Sequence, residues 1–452
     1  MTTHPARVEP APGHAAPMPI SQTDVARRWA PLAASWLAMG LEIPVVAAVM
    51  ARLADPEVSL AAFGGVVMPV ALLIEAPIMM LLTASTALAK DLASYRLMHR
   101  FMVLSGLMLT VIHALVAFTP LLDLLVLPLL GTPEIVREPA RIGLMLMLPW
   151  SWAIAYRRFH QGLLIRHDRS RHVTIGTVLR LAALGLTLFI AAMAGASGIA
   201  AGGLAIGVAV TVEALYAGAV ARPIVRGELA RAAPLRIPLT FRAFWAFYAP
   251  LAVTSFVALI VTPLGSAAIS RMPDALPSLA AWPVVKGILF MFRSLGFAYN
   301  EVVVAMLDRP DAYPSLRRFT VTLGAAVLLA TGVVAFTPLS RGWFSIVSGL
   351  PPELTQLATI GFVAALPWPL LEVLRNFFQG IAVHGGRTRS VTESMFVFLG
   401  ASAGLFALGT VWQVLPALTY ALITFVLATL AQVVWLWWRA RPELARLASA
   451  DA

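Results

Sequence analysis

A ladder of polar and charged residues lies within one long apolar stretch of the chain, residues 278–306. Lys286, Arg293 and Asn300 are spaced seven residues apart, so a helix would place them along one face. Glu301 adjoins that face. A charged residue at the middle of a membrane costs about 2.5–3.5 kcal/mol on insertion scales, so such residues are functional candidates. Because two cations in an apolar helix need water, acidic partners or an anionic ligand, we predict that this ladder binds the substrate.

Two further acids, Glu42 and Glu75, each stand two residues before a proline, Pro44 and Pro77. A proline inside a helix frees the carbonyl four residues back and bends the helix. A carboxylate beside a freed carbonyl suits a proton or a sodium ion, so we predict ion coupling here; the alternative is a kink that serves packing. His113 is a third candidate for coupling as a proton relay, and its alternative is a hydrogen-bonded packing residue.

The chain also repeats itself at a constant spacing of 218 over some seventy residues. The clearest copy is Arg-x-Phe-x-Gln-Gly, which begins at Arg157 and again at Arg375. A constant offset indicates two equivalent halves, and in a membrane protein two halves commonly enclose a pathway. We predict a gating or structural role for the duplicated arginines, which near helix ends would bind carbonyls or lipid phosphates. Glu372, which aligns with Ile154, joins this group as a weaker candidate.

The two halves differ where a substrate would need asymmetry. Lys286 aligns with Met68 and Arg293 aligns with Glu75, so the second half carries cations that the first half lacks. The competing interpretation is an ion pair between Arg293 and Glu75 that locks the halves together. Either arrangement predicts that the ladder lies at the junction between the halves.

Apolar helices must position these residues, because the composition is that of a membrane protein. Of the 452 residues, 60% are hydrophobic and 12% are charged. About 20 apolar residues cross ~30 Å of hydrocarbon as a helix, and the continuous runs differ from the alternation of a β-barrel. The twelve predicted spans are roughly residues 29–51, 59–87, 101–130, 142–164, 173–197, 203–221, 243–268, 278–306, 319–340, 357–383, 391–411 and 415–438.

The basic residues set the predicted orientation. With the N-terminus inside, the inside segments carry 22 Lys and Arg residues and the outside segments carry 5, which predicts that both termini are cytoplasmic. We therefore predict an all-α polytopic membrane protein with twelve transmembrane helices in two parallel six-helix repeats. Its predicted parts are a disordered cytoplasmic tail at 1–28, an N-terminal lobe at 29–225, a basic cytoplasmic linker at 226–242, a C-terminal lobe at 243–440 and a cytoplasmic tail at 441–452.

Several functions are excluded by what the sequence lacks. The net charge of +11 does not indicate nucleic-acid binding, since the basic residues occupy short loops where they set orientation and contact anionic lipids. The sequence has no cysteine, Walker loop, metal-ligand spacing or catalytic pair of carboxylates, so we predict no enzyme activity, cofactor or metal. We expect a monomer. Arginine-rich, lysine-poor usage indicates a bacterium with GC-rich DNA, and hence the bacterial inner membrane.

Several segments resemble the multidrug/oligosaccharidyl-lipid/polysaccharide (MOP) exporter superfamily, whose best-known branch is the MATE transporters. The segment from Arg375 to Gly380, followed by arginines at 387 and 389, is of the kind found after the tenth helix in that superfamily. Within it, the first half is more similar to the progressive ankylosis (ANK) family, at residues 60–64, 113–118 and 162–167. The resemblance implies two six-helix lobes and export of small anions such as pyrophosphate, citrate or nucleotides.

We therefore predict a secondary active transporter that works by alternating access and exports a small anionic solute bound near the midplane between the lobes. In a MATE-type multidrug or cation antiporter coupled to protons or sodium, Glu42, Glu75 or Glu301 would dominate instead. A lipid-linked sugar flippase would favour a large, strongly cationic cavity. A membrane scaffold without transport activity would pair its buried charges and leave no open cavity.

Overall fold

The computed structural model describes residues 21–307, 309 and 312–450, and within them the regular structure is helical, without strands. Eleven helices are long and apolar enough to cross a membrane. One further helix, at the predicted fourth span, has 18 residues that include three arginines, which make it less apolar. The predicted all-α, twelve-helix architecture is therefore confirmed. In chain order these twelve helices are α1 Gln22–Met50, α2 Pro56–Leu88, α3 Leu92–Phe118, α4 Pro149–Arg166, α5 Arg171–Met193, α6 Gly198–Leu229, α7 Phe241–Ile269, α8 Ala275–Met306, α9 Ala312–Phe336, α10 Pro352–His384, α11 Arg389–Trp412 and α12 Ala417–Ala450.

Both predicted tails contain helix within the described residues. The first 20 residues of the predicted tail at 1–28 lie outside the described residues, but α1 begins directly after Ser21, which forms a capping box with Asp24. The predicted tail at 441–452 is helical as far as Ala450. Charged residues end a run of high hydropathy without ending a helix, since Arg and Glu are good helix formers. Both helices therefore continue beyond the apolar part of the sequence.

Both ends of the described chain lie on one face of the helical bundle. Val25 near the start of α1 and Ala440 near the end of α12 belong to one buried apolar cluster. We call this side the terminal face and the opposite side the far face. The distribution of basic residues predicts that the terminal face is cytoplasmic.

The predicted kinks are present in both α1 and α2. The first helix is interrupted at Leu41, three residues before Pro44. The second contains a short 3-10 turn, Ala76–Ile78, which includes its proline. Glu42 begins the second segment of α1, and Glu75 ends the segment of α2 before the turn. Each carboxylate therefore lies at a break in its helix.

The predicted linker at 226–242 is attached to the N-terminal lobe. It starts within the last turn of α6, a π-helix over Ile224–Leu229, and then becomes irregular. The carboxylate of Asp91, which caps α3, accepts the backbone N–H of Leu235 at 3.0 Å. Burial raises the pKa of the Asp91 carboxyl, but hydrogen bonds from Ser94 and Leu235 outweigh burial and lower this pKa. The charged cap of α3 thus also holds the linker.

At the terminal face, α1 and α7 each contact the opposite lobe through an aromatic hydrogen-bond donor. The indole N–H of Trp29 donates to the carbonyl of Leu295 in α8 at 2.8 Å. The hydroxyl of Tyr248 in α7 donates to the carbonyl of Pro77 in α2 at 2.6 Å. Trp29 and Tyr248 are 219 residues apart, and each ring packs edge-on against a phenylalanine in the third helix of the other lobe. The lobes are therefore joined by two equivalent contacts.

At the far face, two arginines join the lobes in the same reciprocal way. Arg52, which follows α1, donates to the carbonyl of Val347 in the C-terminal lobe at 2.9 Å. Arg271, which follows α7, donates to the carbonyl of Leu129 in the N-terminal lobe at 2.8 Å. The two arginines are 219 residues apart, so the repeat preserves this contact. We call them the far-face latches.

A glycine accommodates each latch. Gly131, with φ of 66°, lies against Arg271, and Gly349, with φ of 71°, lies against Arg52. A Cβ at these positions would stand 2.9 Å and 2.8 Å from the respective guanidinium atoms. Both the left-handed backbone and the close approach therefore require glycine.

We expect the double substitution Arg52→Ala and Arg271→Ala to open the far face. Ser266 of α7 is buried between the lobes, with its hydroxyl 3.5 Å from the Gly64 carbonyl. Because the chain has no cysteine, Ser266→Cys introduces a single thiol. A membrane-impermeant maleimide applied at the far face of sealed vesicles should label this thiol about tenfold faster once the latches are removed. The exposed Arg137→Ala is the control, and equal labelling rates in all variants would refute the latch.

Candidate functional site

A cavity of about 240 Å³ lies between the lobes, with walls from α1, α2, α7 and α8. Lys286 is the one charged residue among the described residues that line it. The hydroxyl of Thr262 and the indole N–H of Trp282 are the other side-chain donors, and the aromatic part of the wall comes from Phe63, Trp282 and Phe290. The cavity thus combines a single positive charge with an apolar, aromatic lining.

The ammonium of Lys286 has no carboxylate partner in the described part of the chain. It lies 4.9 Å from the ring centroid of Trp282, and that ring is held in place by stacking against Phe425. A cation–π contact contributes about 0.5–2 kcal/mol. This is less than the ~2.5–3.5 kcal/mol that a charge costs at mid-membrane. The ammonium is therefore available to an anionic ligand.

Arg293 pairs within its own lobe, so the structure does not show the ion pair with Glu75 that was the competing interpretation. Its Nε and Nη2 groups donate to Oε2 of Glu372 at 3.0 Å and 2.7 Å. The other carboxylate oxygen accepts Nε of Arg375 at 2.6 Å. Arg293 lies two turns, about 10 Å, along α8 from Lys286, and at that level its side chain reaches α10 rather than the interlobe cavity. The structure thus separates Arg293 from Lys286.

The rest of the predicted ladder also lies outside the interlobe cavity. Asn300 donates its side-chain amide to the carbonyl of Asn376 in α10 at 3.2 Å. Glu301 is exposed on the surface of α8. Of the four residues predicted to bind substrate, the structure brings only Lys286 to this cavity.

A second group of buried charges, three arginines and three glutamates, lies inside the N-terminal lobe. Nη1 of Arg157 donates to Glu213 at 2.9 Å, and the amide of Gln161 donates to the other oxygen of that carboxylate at 3.0 Å. Arg180 forms a two-point ion pair with Glu42, whose Nε–Oε1 distance is 3.2 Å. Arg180 also lies 3.5 Å from Glu213 and so joins the two pairs. Glu42 is therefore already engaged by a cation.

Glu75 and Arg158 complete this group without a direct ion pair. The Glu75 carboxylate is buried beside the Trp150 indole, and neither its Oε2 atom nor Nε1 of Trp150 makes a hydrogen bond of normal geometry in the described part of the chain. Nε of Arg158 is likewise buried and unpartnered, and its Nη2 lies 3.8 Å from the Met79 sulfur. No group of three or more His, Asp or Glu within the described ranges could hold a metal ion. Glu42 and Glu213 are both paired with arginines, whereas Glu75 is not. Among these three glutamates, Glu75 is therefore the one with a carboxylate oxygen available for a proton.

His113 is buried and hydrogen-bonded to uncharged groups. Its Nδ1 lies 3.1 Å from the Ser151 hydroxyl, and its Nε2 lies 3.0 Å from the Leu144 carbonyl. These contacts favour a hydrogen-bonded packing residue over a proton relay. The duplicated Arg157 and Arg375 both meet buried carboxylates, in place of the helix-end carbonyls or lipid phosphates expected from the sequence.

Three residues of the N-terminal network, Arg158, Arg180 and Glu213, were not among the predicted site residues. All three are charged and lie within apolar stretches, and that signal alone would have included them. The first half also contains equal numbers of arginines and glutamates in its apolar stretches. Because buried charges are normally paired, this equality indicated that these residues pair with one another.

No protein-family model matches the chain, and no curated protein matches it by sequence. A solved structure of an inward-facing multidrug resistance MATE family transporter of the MOP superfamily matches with a TM-score of 0.70 at 14% identity, over 91% of this chain and 96% of that chain. The lipid II flippase MurJ in an inward closed conformation matches with a TM-score of 0.69 at 12% identity, over 92% and 89%. The Vibrio cholerae MATE transporter VcmN in the bent form matches with a TM-score of 0.61 at 17% identity, over 94% and 99%.

These neighbours do not support the closer resemblance to the ANK family. They are transporters and a flippase, and none of those named is an enzyme. Identities this low establish the fold and nothing finer. The chain has the fold that MATE transporters and MurJ share within the MOP superfamily.

Proposed function

We propose that this protein is a secondary active transporter that exports a small organic anion by alternating access. The observation that carries the proposal is Lys286, a cation in the interlobe cavity without an acidic partner in the described chain. Structural neighbours that are transporters support movement of a solute between the lobes. Rocking of the lobes about this cavity would present an anion at Lys286 first to one side of the membrane and then to the other.

The cavity favours an anion with one negative charge and an apolar body over citrate, pyrophosphate or a nucleotide. One ammonium neutralises one charge, and the rest of the wall is apolar apart from the Thr262 hydroxyl and the Trp282 indole N–H. A polyanion would leave further charges desolvated and unpaired, which costs several kcal/mol per ion. A carboxylate at Lys286 would place its apolar body against the rings of Phe63 and Phe290.

Efflux from proteoliposomes tests this proposal. Vesicles are loaded with labelled benzoate, an aromatic monoanion, and parallel vesicles are loaded with citrate, pyrophosphate or ATP. We expect benzoate efflux that depends on the protein and on Lys286. If no anion moves, or if citrate moves faster than benzoate, the proposed substrate class is wrong.

Glu75 is the proposed coupling site for a proton, in preference to Glu42, which Arg180 already engages. We expect Glu75→Gln to reduce efflux driven by a pH gradient by about tenfold, while exchange at equal pH is preserved. Flux is measured with a proton gradient and with a sodium gradient. Glu57→Gln, at a partly exposed acid of the same helix, is the control. A gradient response that survives in Glu75→Gln would exclude this residue.

Two alternatives each have an observation in their favour. The free carboxylate oxygen of Glu75 suits a MATE-type cation antiporter, which would move a lipophilic cation equally well after Lys286→Ala. An apolar groove of about 840 Å³, lined by α1, α8 and the chain around Pro338, suits the tail of a lipid-linked sugar and hence a flippase. Transport of ethidium or of a fluorescent polyprenyl-phosphate sugar separates these alternatives from anion export.

A further inference from the structure

The buried interior of the C-terminal lobe carries more positive than negative charge. In the N-terminal lobe, three arginines are matched by three glutamates. In the C-terminal lobe, Arg293 and Arg375 share Glu372 as the one acid beside them in the described chain. Lys286 belongs to the interlobe cavity. One uncompensated positive charge therefore remains at the group formed by Arg293, Glu372 and Arg375, which we call the arginine triad.

Both guanidiniums of the triad keep a donor that Glu372 does not use. The carboxylate accepts Nε and Nη2 of Arg293 through one oxygen, and its other oxygen pairs with Nε and Nη2 of Arg375. Nη1 of Arg293 has no partner within the part of the chain that the structure describes. Nη1 of Arg375 lies 3.5 Å from the Gln379 side-chain oxygen, which is at the limit of a hydrogen bond. A ligand can therefore reach two donors without displacing Glu372.

A second cavity, of about 220 Å³, exposes the triad inside the lobe. Its walls come from α7, α8, α10, α11 and α12, and it shares no lining residue with the interlobe cavity. Thr429 and Gln432 add polar groups to the wall. At ~30 Å³ per water, the volume corresponds to roughly seven waters, which is room for a small anion with part of its hydration shell.

We propose that this cavity is a binding site for a small monovalent anion of the charge and size of chloride, held between Arg293 and Arg375. One negative charge neutralises the triad, and the low dielectric of the lobe strengthens the attraction. The same chemistry could be supplied by the carboxylate of the transported solute. The proposal does not rest on Lys286, because the two cavities are separate.

Thermal unfolding of the full chain in detergent is the first test. Sodium chloride is compared with sodium gluconate, whose anion is bulkier and more strongly hydrated than chloride, at equal ionic strength. We expect chloride to raise the unfolding midpoint saturably, by about 2–4 °C. Arg293→Gln leaves a neutral pair of Arg375 and Glu372, so the chloride effect should disappear. Arg318→Gln, at an exposed arginine, should retain it.

Fluorescence gives a test that needs no change to the triad. The ring of Trp368 lies 4.0 Å from the guanidinium carbon of Arg293, so a heavy halide bound there would quench its emission on contact. We expect iodide to quench with a saturable component above the linear collisional one. The chain has 12 tryptophans, and collisions with the others produce the linear component. Trp368→Phe should therefore remove the saturable component and leave the linear one.

The outcomes separate the possible sources of the anion. Saturable quenching that chloride displaces supports the free inorganic ion, and quenching that only benzoate displaces assigns the site to the solute. If chloride and gluconate stabilise the protein equally and quenching is strictly linear, the proposal is wrong. Lys286→Ala should abolish benzoate transport yet keep the halide response, so failure of the transport proposal is distinguishable from failure of this one.

Discussion

Lys286→Ala is expected to abolish anion efflux while the protein stays folded. Removal of one partner from a desolvated charge pair costs about 2–5 kcal/mol, so we expect a loss of about 30-fold or more in substrate affinity. Without ligand, the unfolding midpoint of Lys286→Ala should be at least as high as that of the unmodified protein, because the substitution removes an unpaired ammonium from an apolar cavity. Efflux of labelled benzoate and the thermal unfolding midpoint are measured on the same preparation.

Two control variants separate the charge of Lys286 from its position. Lys286→Arg keeps the charge and should retain part of the efflux, although its planar donor group fits the cavity differently. Lys90→Ala removes the one other lysine of the sequence, which is exposed at the terminal face, and should leave efflux unchanged. Full benzoate efflux by Lys286→Ala, with unchanged affinity, would exclude Lys286 from the substrate site.

The architecture could be predicted because two independent signals agree. Long apolar runs give the helices, and the spacing of 218 gives their grouping into two halves. The same repeat orders the lobe interface, where Arg52 and Arg271 occupy equivalent positions. Helix ends were predicted less well, because hydropathy falls where charges begin while the helix of α12 continues into them. Hydropathy reports where lipid ends, and backbone hydrogen bonding determines where a helix ends.

The candidate site could be predicted only in part, because periodicity gives the face of a helix and not its neighbour. In the structure Lys286 lines the cavity between the lobes, whereas Arg293 pairs with a carboxylate of its own lobe. Arg180 and Glu42, which pair directly, are 138 residues apart, and the sequence offers no pattern that joins them. The order of helices around each lobe decides such pairs, and this order is a property of the packed fold.

The sequence repeat preserves the duplicated arginines but not the positions of the acids that pair with them. Arg157 and Arg375 occupy equivalent positions, and both pair with a buried carboxylate. Arg157 meets Glu213 from α6, whereas Arg375 meets Glu372 three residues away on its own helix. The repeat therefore preserves the cation while each half supplies its anion from a different place. The unequal charge of the two lobe interiors follows from this difference.

Glu372→Ala is expected to be the most destabilising of the substitutions considered. Glu372 is buried between two guanidiniums, and its removal leaves Arg293 and Arg375 in the lobe interior with no adjacent carboxylate. Breaking a buried ion pair by removing one partner costs about 3–5 kcal/mol. At about 2–4 °C per kcal/mol for a unit of 150–250 residues, the unfolding midpoint should fall by about 10 °C.

The exposed acid Glu353 at the start of α10 provides the matched control, and Glu353→Ala should change the midpoint by less than about 2 °C. Because the charge left at Arg293 and Arg375 doubles in Glu372→Ala, added chloride should recover more of the midpoint in this variant than it adds to the unmodified protein. A midpoint close to that of the unmodified protein in gluconate would show that the triad is solvated rather than buried. Both the stability argument and the anion site would then fail together, whereas the role of Lys286 would be unaffected.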